Sequence, residues 1–491
     1  MIMNSFIKLN PCDNVAVALK DVTPGDEYLG IKTPQAISLG HKMALSDIKS
    51  GEDIIKYGTS IGHATADIKA GEWVHAHNMA TNLEGELEYT YNPTPCELKT
   101  SVPRTFMGYR RKGGGVGIRN EIWIIPTVGC VNDIAKAIAR DNADLVSGTL
   151  DGIYAFTHPY GCSQTGYDHA TTRKLLASLA RHPNAAAVLV LGLGCENLTK
   201  EQFLEELGDF DGERVKFLVC QEVEDELAVA RELLLECAEY AKSFKRESIP
   251  TSELVIGMKC GGSDGLSGVT ANPTVGRLSD ILIREGGSTI LTEVPEMFGA
   301  EGMLMGRCKS PEIFDRAVNM INSFKDYYIS HGEVVYENPS PGNKKGGITT
   351  LEDKSCGCVQ KGGTAPIVDI LDYADRIKVR GLNLLSGPGN DLVSSTALTA
   401  AGAHMVLFTT GRGTPFGAPA PTLKISTNTP LATKKHGWID FNAGTVAEGE
   451  SIDDAAERLY ELVLEVASGK QSTSERLGYR EIAIFKDGVT L

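Results

Sequence analysis

The rhythm of apolar and polar positions changes near residue 104. Up to residue 80 the apolar runs are short and β-type, and a turn recurs between them: Asp21-Val-Thr-Pro-Gly-Asp26, Asp47-Ile-Lys-Ser-Gly-Glu52 and Asp67-Ile-Lys-Ala-Gly-Glu72. This pattern predicts a small β domain over residues 1–80. Its last run, Trp73-Val-His-Ala-His-Asn78, reads as a strand end. Side chains two apart on a strand share a face, so His75 and His77 are expected to point the same way, which suits metal, carboxylate or proton transfer. Residues 81–104 hold Glu84, Glu86, Glu88, Glu97 and three prolines with little periodicity, and read as a flexible linker.

From Arg104 onward apolar runs alternate with helical patterns, the signature of α/β architecture with a mainly parallel sheet. A break near Ser243-Phe-Lys-Arg-Glu-Ser-Ile-Pro250 divides this part into a middle α/β domain, 105–250, and a C-terminal one, 251–491, expected to be Rossmann-like. The clearest unit is a βαβ. Leu254-Val-Ile-Gly-Met-Lys259 is a strand, and Asn272-Pro273 is the expected helix start, with Asn272 as its cap. Val275, Leu278, Ile281 and Leu282 line one helix face, Gly286-Gly287 ends it, and Ser288-Thr-Ile-Leu-Thr292 is the next strand. Residues 336–358 are polar and rich in Gly and Pro, and read as a functional loop or lid. Near the C-terminus Ser451 and Asp454 resemble a capping box ahead of a stripe at Ala456, Leu459, Val463 and Val466, closed by Gly469.

Strand after strand leaves the α/β part through glycine and polar residues: at Gly129-Cys130, His158 to Gln164, Gly192 to Asn197, Cys260 to Pro273, Ser386 to Asp391 and Thr410 to Pro415. Open α/β sheets bind ligands at that edge, so these loops point to an active site. Neither Gly192-Leu-Gly194 nor Gly387-Pro-Gly389 completes a dinucleotide fingerprint, and no Walker A or serine-hydrolase elbow occurs. The loop after residue 260, with Gly261, Gly262, Gly265 and Gly268 beside Ser263, Asp264 and Ser267, offers backbone N–H groups to a small anion.

Composition narrows this further. The 491 residues carry a net charge of −15 and are 42% hydrophobic. Nucleic acid and acidic membrane are therefore unexpected partners, and an anionic substrate would need local positive charge or a metal. No apolar run approaches transmembrane length and no signal peptide is visible, so a cytoplasmic location with reduced thiols is expected for the eleven cysteines. Cys130, Cys162 and Cys195 each follow a glycine just past an expected strand. If those strands are neighbours, the three thiols converge as soft ligands for iron or an iron–sulfur cluster. Glu293 and Glu296 form a competing oxygen site for a harder ion such as manganese or magnesium.

Asp13-Asn-Val-Ala-Val-Ala18, Val74-His-Ala-His-Asn78, Thr127-Val-Gly-Cys-Val-Asn132, Tyr160-Gly-Cys162, Gly192 to Asn197, Cys260 to Pro273, Glu293-Val-Pro-Glu-Met-Phe298 and Thr410 to Pro415 resemble, in one order over essentially the whole chain, the altronate/galactarate dehydratase family. The resemblance implies an N-terminal β-clip (SAF-type) domain, a linker, a middle domain tied to dimerisation and a Rossmann-like C-terminal domain. It also implies dehydration of D-altronate to 2-dehydro-3-deoxy-D-gluconate in hexuronate breakdown, with divalent iron or manganese. The alternatives are galactarate or another sugar acid as substrate, or a sugar-acid sensor without turnover.

Such a reaction takes a proton from C2, beside a carboxylate, and hydroxide from C3, so it needs a base, an acid and stabilisation of negative charge. The candidates are His75, His77, Lys354, Glu293 and Glu296. Arg412 is the candidate carboxylate clamp. Ser263, Asp264, Asn272, Asn390, Asp391 and Thr414 are candidates for binding the remainder of the sugar acid. Which group is acid and which is base stays open.

Overall fold

The recurring turns organise the N-terminal part in the computed structural model, which describes residues 5–83, 89–94, 96–336 and 338–490. Gly25, Gly51 and Gly71 sit at φ 96°, 87° and 92°, where a side chain would be strained. In each copy the closing acid accepts a backbone N–H three residues back: Asp26 from Thr23, Glu52 from Lys49 and Glu72 from Lys69. The second and third copies exchange ion pairs, Lys49 with Asp67 at 2.9 Å and Lys69 with Asp47 at 2.8 Å. Four short strands, Phe6–Ile7, Val15–Ala18, Lys42–Ala44 and Trp73–Val74, pair antiparallel. A hairpin of β1 (Asp53–Lys56) and β2 (Thr59–Ala64) pairs with Met79–Ala80.

His75 and His77 lie beyond the strand rather than in it, because Trp73–Val74 ends at residue 74 and a turn follows. Asn78 makes that turn: its Oδ1 accepts from His75 N and its Nδ2 donates to the Trp73 carbonyl, a side-chain competitor for strand pairing. Both imidazoles instead pack on Trp73, at 5.3 and 4.9 Å between ring centroids.

The supposed linker is extended but pinned. Tyr89 donates to Glu301, Tyr91 donates to the Cys308 carbonyl, and Thr94 N donates to the Gly306 carbonyl. Glu84, Glu86 and Glu88 lie outside the described residues.

The middle part holds a parallel sheet of β3 (Glu121–Pro126), β4 (Gly152–Ala155), β5 (Ala185–Gly192) and β6 (Val215–Val219), in the order β4-β3-β5-β6. β3 and β5 are buried at every position, as continuous apolar runs covered on both faces should be.

The C-terminal sheet is larger. It comprises β7 (Val255–Cys260), β8 (Ser288–Leu291), β9 (Ile367–Leu371), β10 (Leu382–Leu385), β11 (Met405–Thr410), β12 (Thr422–Ser426) and β13 (Phe441–Asn442). The order is β9-β10-β8-β7-β11-β12-β13 and every pairing is parallel. After β7 the chain moves to one side; after β10 it returns to β7's other side. The crevice between the C-terminal ends of β7 and β11 is therefore the switch point, where such sheets bind ligands.

The helix after β7 is α1 (Ala271–Arg284), and its N-cap is Thr270. Asn272 is therefore not the cap. It is buried in the first turn, donating to the Gly357 carbonyl and accepting from Thr409 Oγ1 at 2.6 Å. Residues 336–358 are not an open lid: Pro341–Lys345 is a short helix, and α2 (Leu351–Cys358) is buried at all eight positions. The Gly- and Lys-rich composition hid a helix whose partners are polar. Near the C-terminus the cap at Ser451, accepting from Asp454 N at 3.0 Å, starts the helix Ile452–Ala467 as the sequence implies. No helix among the described residues is long and apolar enough to cross a membrane.

Candidate active site

β7 delivers Cys260 to the switch point. After β8, Glu293 takes a left-handed conformation, φ 72°, and starts a 3-10 turn that turns Glu296 inward. The end of α2 brings Lys354 and Cys358 one helical turn apart, and Lys361 follows just beyond. Both thiols lie 3.0 Å from Glu296 Oε2 and 3.4 Å from each other. Among the described residues, Cys260, Glu296 and Cys358 are the one group of three His, Cys, Asp or Glu whose ligand atoms all lie within 4.8 Å of one another.

Three lysines surround this group. Lys354 pairs with Glu296 at 2.8 Å, and Lys259 with Glu293 at 3.0 Å and Asp391 at 2.8 Å. Lys361 lies 3.0 Å from Cys260 Sγ and 3.6 Å from Glu293. With both thiols protonated, three ammonium groups balance Glu293, Glu296 and Asp391, and buried charge survives only when paired in this way. Burial alone would raise the Glu296 carboxyl, but Lys354 and Lys361 outweigh it and hold it down at about 2. Glu293 is pushed up, by burial first. The Cys358 thiol is pushed well up, by its contact with Cys260 and then by burial.

The donor set fits a divalent ion. Two sulfurs and a carboxylate suit iron or zinc better than magnesium. Loss of two thiol protons on binding would keep the charge balanced. Oε1 of Glu293 is also buried without an aligned hydrogen-bond donor, although Lys259 is near it.

The N-terminal part closes one side. Lys42 and Lys56, both buried, pair with the two oxygens of Asp353 on α2 at 2.7 and 2.9 Å. Thr81 and Asn82 hold Glu352, and Thr350 donates to the Ile61 carbonyl. α2 is thus fixed by one part of the chain while it supplies the site in another.

The structure brings Glu293, Glu296, Lys354 and Asp391 together. His75 stands further out, half-buried, with Nδ1 3.2 Å from Thr349 Oγ1; burial, then Lys42 and His41, push it down to about 4. His77 is exposed. Asp264 is half-buried and ties its loop to the segment after β12, accepting from Thr427 and Asn428. The Ser263 carbonyl accepts from Asn343. Asn390 caps the helix Asp391–Ala400. Thr414 accepts from Phe416 N. Arg412 is exposed at the end of β11, donates to the Gly342 carbonyl at 3.1 Å, and pairs with no carboxylate among the described residues. Cys130, Cys162 and Cys195 follow the neighbouring strands β3, β4 and β5, and all three are exposed. Their loops are tied together, Gly129 N to the Tyr160 carbonyl and Ser163 N to Asn197, but their sulfurs do not form a converging group of the kind at Cys260.

Sequence reasoning missed Cys260 and Cys358 as members of this group, and Lys259 and Lys361 as the cations beside it. One signal was present: Lys354, Cys358 and Lys361 recur at i, i+4 and i+7, one face of a helix. Cys356, off that face, is buried near the Gly299 carbonyl.

Three family descriptions match the chain in succession. Residues 4–82 match the altronate/galactarate dehydratase SAF domain. Residues 108–242 match the second domain of D-galactarate dehydratase/altronate hydrolase, and 251–490 the C-terminal domain of D-galactarate/altronate dehydratase. The chain is 52% identical to an altronate dehydratase of Escherichia coli (strain K12), over 99% of its own length and 100% of the relative's. It is also 52% identical to an altronate dehydratase of Bacillus subtilis (strain 168), over the full length of both. A galactarate dehydratase (L-threo-forming) of Escherichia coli (strain K12) is 36% identical over 98% of this chain and 96% of that one.

Proposed function

The chain belongs to the altronate/galactarate dehydratase family, and from that premise we propose that it is a hydro-lyase converting D-altronate to 2-dehydro-3-deoxy-D-gluconate. Full-length identity of 52% to two altronate dehydratases, against 36% to the galactarate enzyme, favours altronate. The observation that carries the chemistry is the buried Cys260–Glu296–Cys358 group ringed by lysines at the switch point.

Arg412, an exposed guanidinium just past β11 that pairs with no carboxylate among the described residues, is the clamp for the substrate carboxylate. Lys259, Lys354 and Lys361 hold positive charge where the developing dianion needs it. Asp391, Ser263 and Thr414 are taken as contacts for the rest of the sugar acid, while Asp264, Asn272 and Asn390 act through the loops they brace. The acceptor for the C2 proton is Glu293 in the cluster or His75 on the N-terminal side. Exchange of the C2 hydrogen with solvent distinguishes them, since only the variant lacking the base, Glu293→Gln or His75→Gln, abolishes it. His77 would act through the shared Trp73.

We assign the metal to Cys260, Glu296 and Cys358, and two thiolates favour iron(II) over manganese. When bound, the ion supplies Lewis-acid stabilisation of negative charge. A second reading, an iron–sulfur cluster on Cys130, Cys162 and Cys195, is supported by three exposed thiols on interlocked loops. The matched stretches support a division at 1–80, 81–104, 105–250 and 251–491. We further read the protein as a cytoplasmic homodimer that binds no nucleic acid or membrane. Eleven free thiols support the location, and a charge of −15 argues against nucleic acid and acidic membrane.

The test is an anaerobic keto-deoxy-acid assay with iron, on altronate, galactarate and glucarate. Turnover of altronate is expected. Preference for galactarate would move the substrate, and tight binding without turnover would make the protein a sensor.

A further inference from the structure

We propose that Tyr57 is the catalytic acid of this site, its phenol giving a proton to the hydroxyl that leaves C3. The inference rests on the dehydratase reading above. Tyr57 forms the tip of the β1–β2 hairpin with Gly58. Both are left-handed, at φ 61° and 80°, as a two-residue turn of the I′ type requires. Asn, Asp or Gly normally occupies the first of those positions, and a bulky side chain there is unfavourable. Such conformations persist where the surroundings impose them, often at functional sites. Here Asp13 holds the turn by accepting Gly58 N at 2.8 Å.

The phenol occupies a slot made by two glycines. A Cβ on Gly268 would overlap the Tyr57 hydroxyl, and a Cβ on Gly357 would come within 3.2 Å of it. Gly268 belongs to the glycine-rich loop after β7, and Gly357 precedes Cys358 on α2. The cleft at this point is lined by Tyr57, Lys354, Cys358, Ser263 and Ser267, among others. The hydroxyl therefore borders a narrow cleft of about 10 Å³, room for roughly one departing water, which it shares with Cys358 of the Cys–Glu–Cys group and with the lysine paired with Glu296. Lys56, fixed to Asp353, sits over the tyrosine ring at 4.6 Å from its centroid and helps hold it.

The other proton donors are otherwise engaged. Lys354 and Lys361 are held by Glu296 and Cys260, and His75 is in hydrogen-bond reach of Thr349. A phenol is protonated at neutral pH and can both donate and accept. In the step, the C2–H bond breaks and its proton goes to the base. The electron pair forms the C2–C3 double bond as the C3–O bond breaks. The oxygen departs as water with the proton from Tyr57, and the phenolate recovers a proton from solvent. The enol then becomes the 2-keto acid.

The test uses Tyr57→Phe in the full, iron-loaded chain, which keeps the ring in its slot and removes only the hydroxyl. With altronate, kcat should fall ~100-fold or more while KM and the melting temperature stay near wild type. With the analogue carrying fluorine in place of the C3 hydroxyl, fluoride leaves without a proton, and the variant should match wild type. Undiminished kcat on altronate would overturn the proposal. An equal fall on both substrates would also overturn it, reducing Tyr57 to a positioning residue. The substrate reading is tested by wild type alone. Were galactarate turned over instead of altronate, that reading would fail, and the same pair of substrates built on galactarate would still decide the role of Tyr57.

Discussion

Two parallel sheets in this chain end in cysteines, and they treat them in opposite ways. In the middle sheet, Cys130, Cys162 and Cys195 follow β3, β4 and β5 and face solvent. The one carboxylate among their loops, Glu196, is already spent, accepting from Leu193 N, Gly194 N and Thr127. In the C-terminal sheet, Cys260 is the last residue of β7 itself, and it is buried against a second thiol, a carboxylate and a lysine. Both sheets present thiols at their C-terminal edge, from loops in the first and from the strand itself in the second. The difference is cover: α2, held down by Lys42 and Lys56 from the N-terminal part, closes the second edge and nothing among the described residues closes the first in that way. Burial is what makes opposite charges and thiols hold one another strongly.

The largest effect should come from exchanging the two edges in one experiment. Cys358→Ser is expected to lower both bound iron and turnover more than ~100-fold after anaerobic loading, beyond the range seen for residues that only support a ligand. Cys162→Ser should keep both. The reverse pattern, iron lost from Cys162→Ser and retained by Cys358→Ser, would move the metal to the middle sheet.

The next effect is on stability and tests the cover itself. Asp353→Asn leaves two buried ammonium groups without their carboxylate, and should cost about 3–5 kcal/mol in chemical denaturation. The pH dependence follows from the same pairing. Burial would raise the Asp353 carboxyl, but Lys42 and Lys56 hold it well below the ordinary carboxylate range. Its contribution is therefore fully present above an unfolded carboxyl's value, roughly pH 4, and is lost as pH falls below it. Wild type should lose stability in that window more steeply than Asp353→Asn. Parallel curves for the two proteins would show that the clamp contributes nothing.

A smaller effect is expected just past β11. Arg412→Lys keeps the charge and loses the planar fork, so kcat/KM should fall roughly tenfold to a hundredfold with unchanged melting. Equal kcat/KM would remove Arg412 from substrate binding.

The same contrast explains what could be read from the sequence. Apolar runs such as Ile122-Trp-Ile-Ile and Met405-Val-Leu-Phe announce buried parallel strands because the sheet covers them on both faces. The glycine-bearing turns and the Ser451 cap are legible because their hydrogen bonds are local. The His75 to Asn78 turn was misread because an Asn side chain ended the strand. Glu293, Glu296 and Lys354 were named as site residues, but the group they join was not. Cys260, Glu296 and Cys358 come from three distant segments, and only the fold makes them neighbours. The helix carrying Cys358 was hidden by composition, since of Leu351–Cys358 only Leu351 and Cys356 join the apolar core while Asp353 is buried through ion pairs with another part of the chain.

The smallest effect sharpens the comparison most. Alkylation requires an accessible thiolate. Brief treatment of the native, iron-loaded protein with iodoacetamide should label the exposed Cys130, Cys162 and Cys195 and spare Cys260 and Cys358, as read by peptide mass spectrometry. The buried pair is protected by lack of access, and in the loaded protein by its place in the group assigned to the ion. If the middle edge carries no cofactor, a protein labelled there should retain turnover within about twofold, because surface substitutions away from a site change little. Loss of activity in step with labelling of Cys162, with Cys260 and Cys358 unmodified, would instead make the open edge the reactive one and the covered edge its structural counterpart.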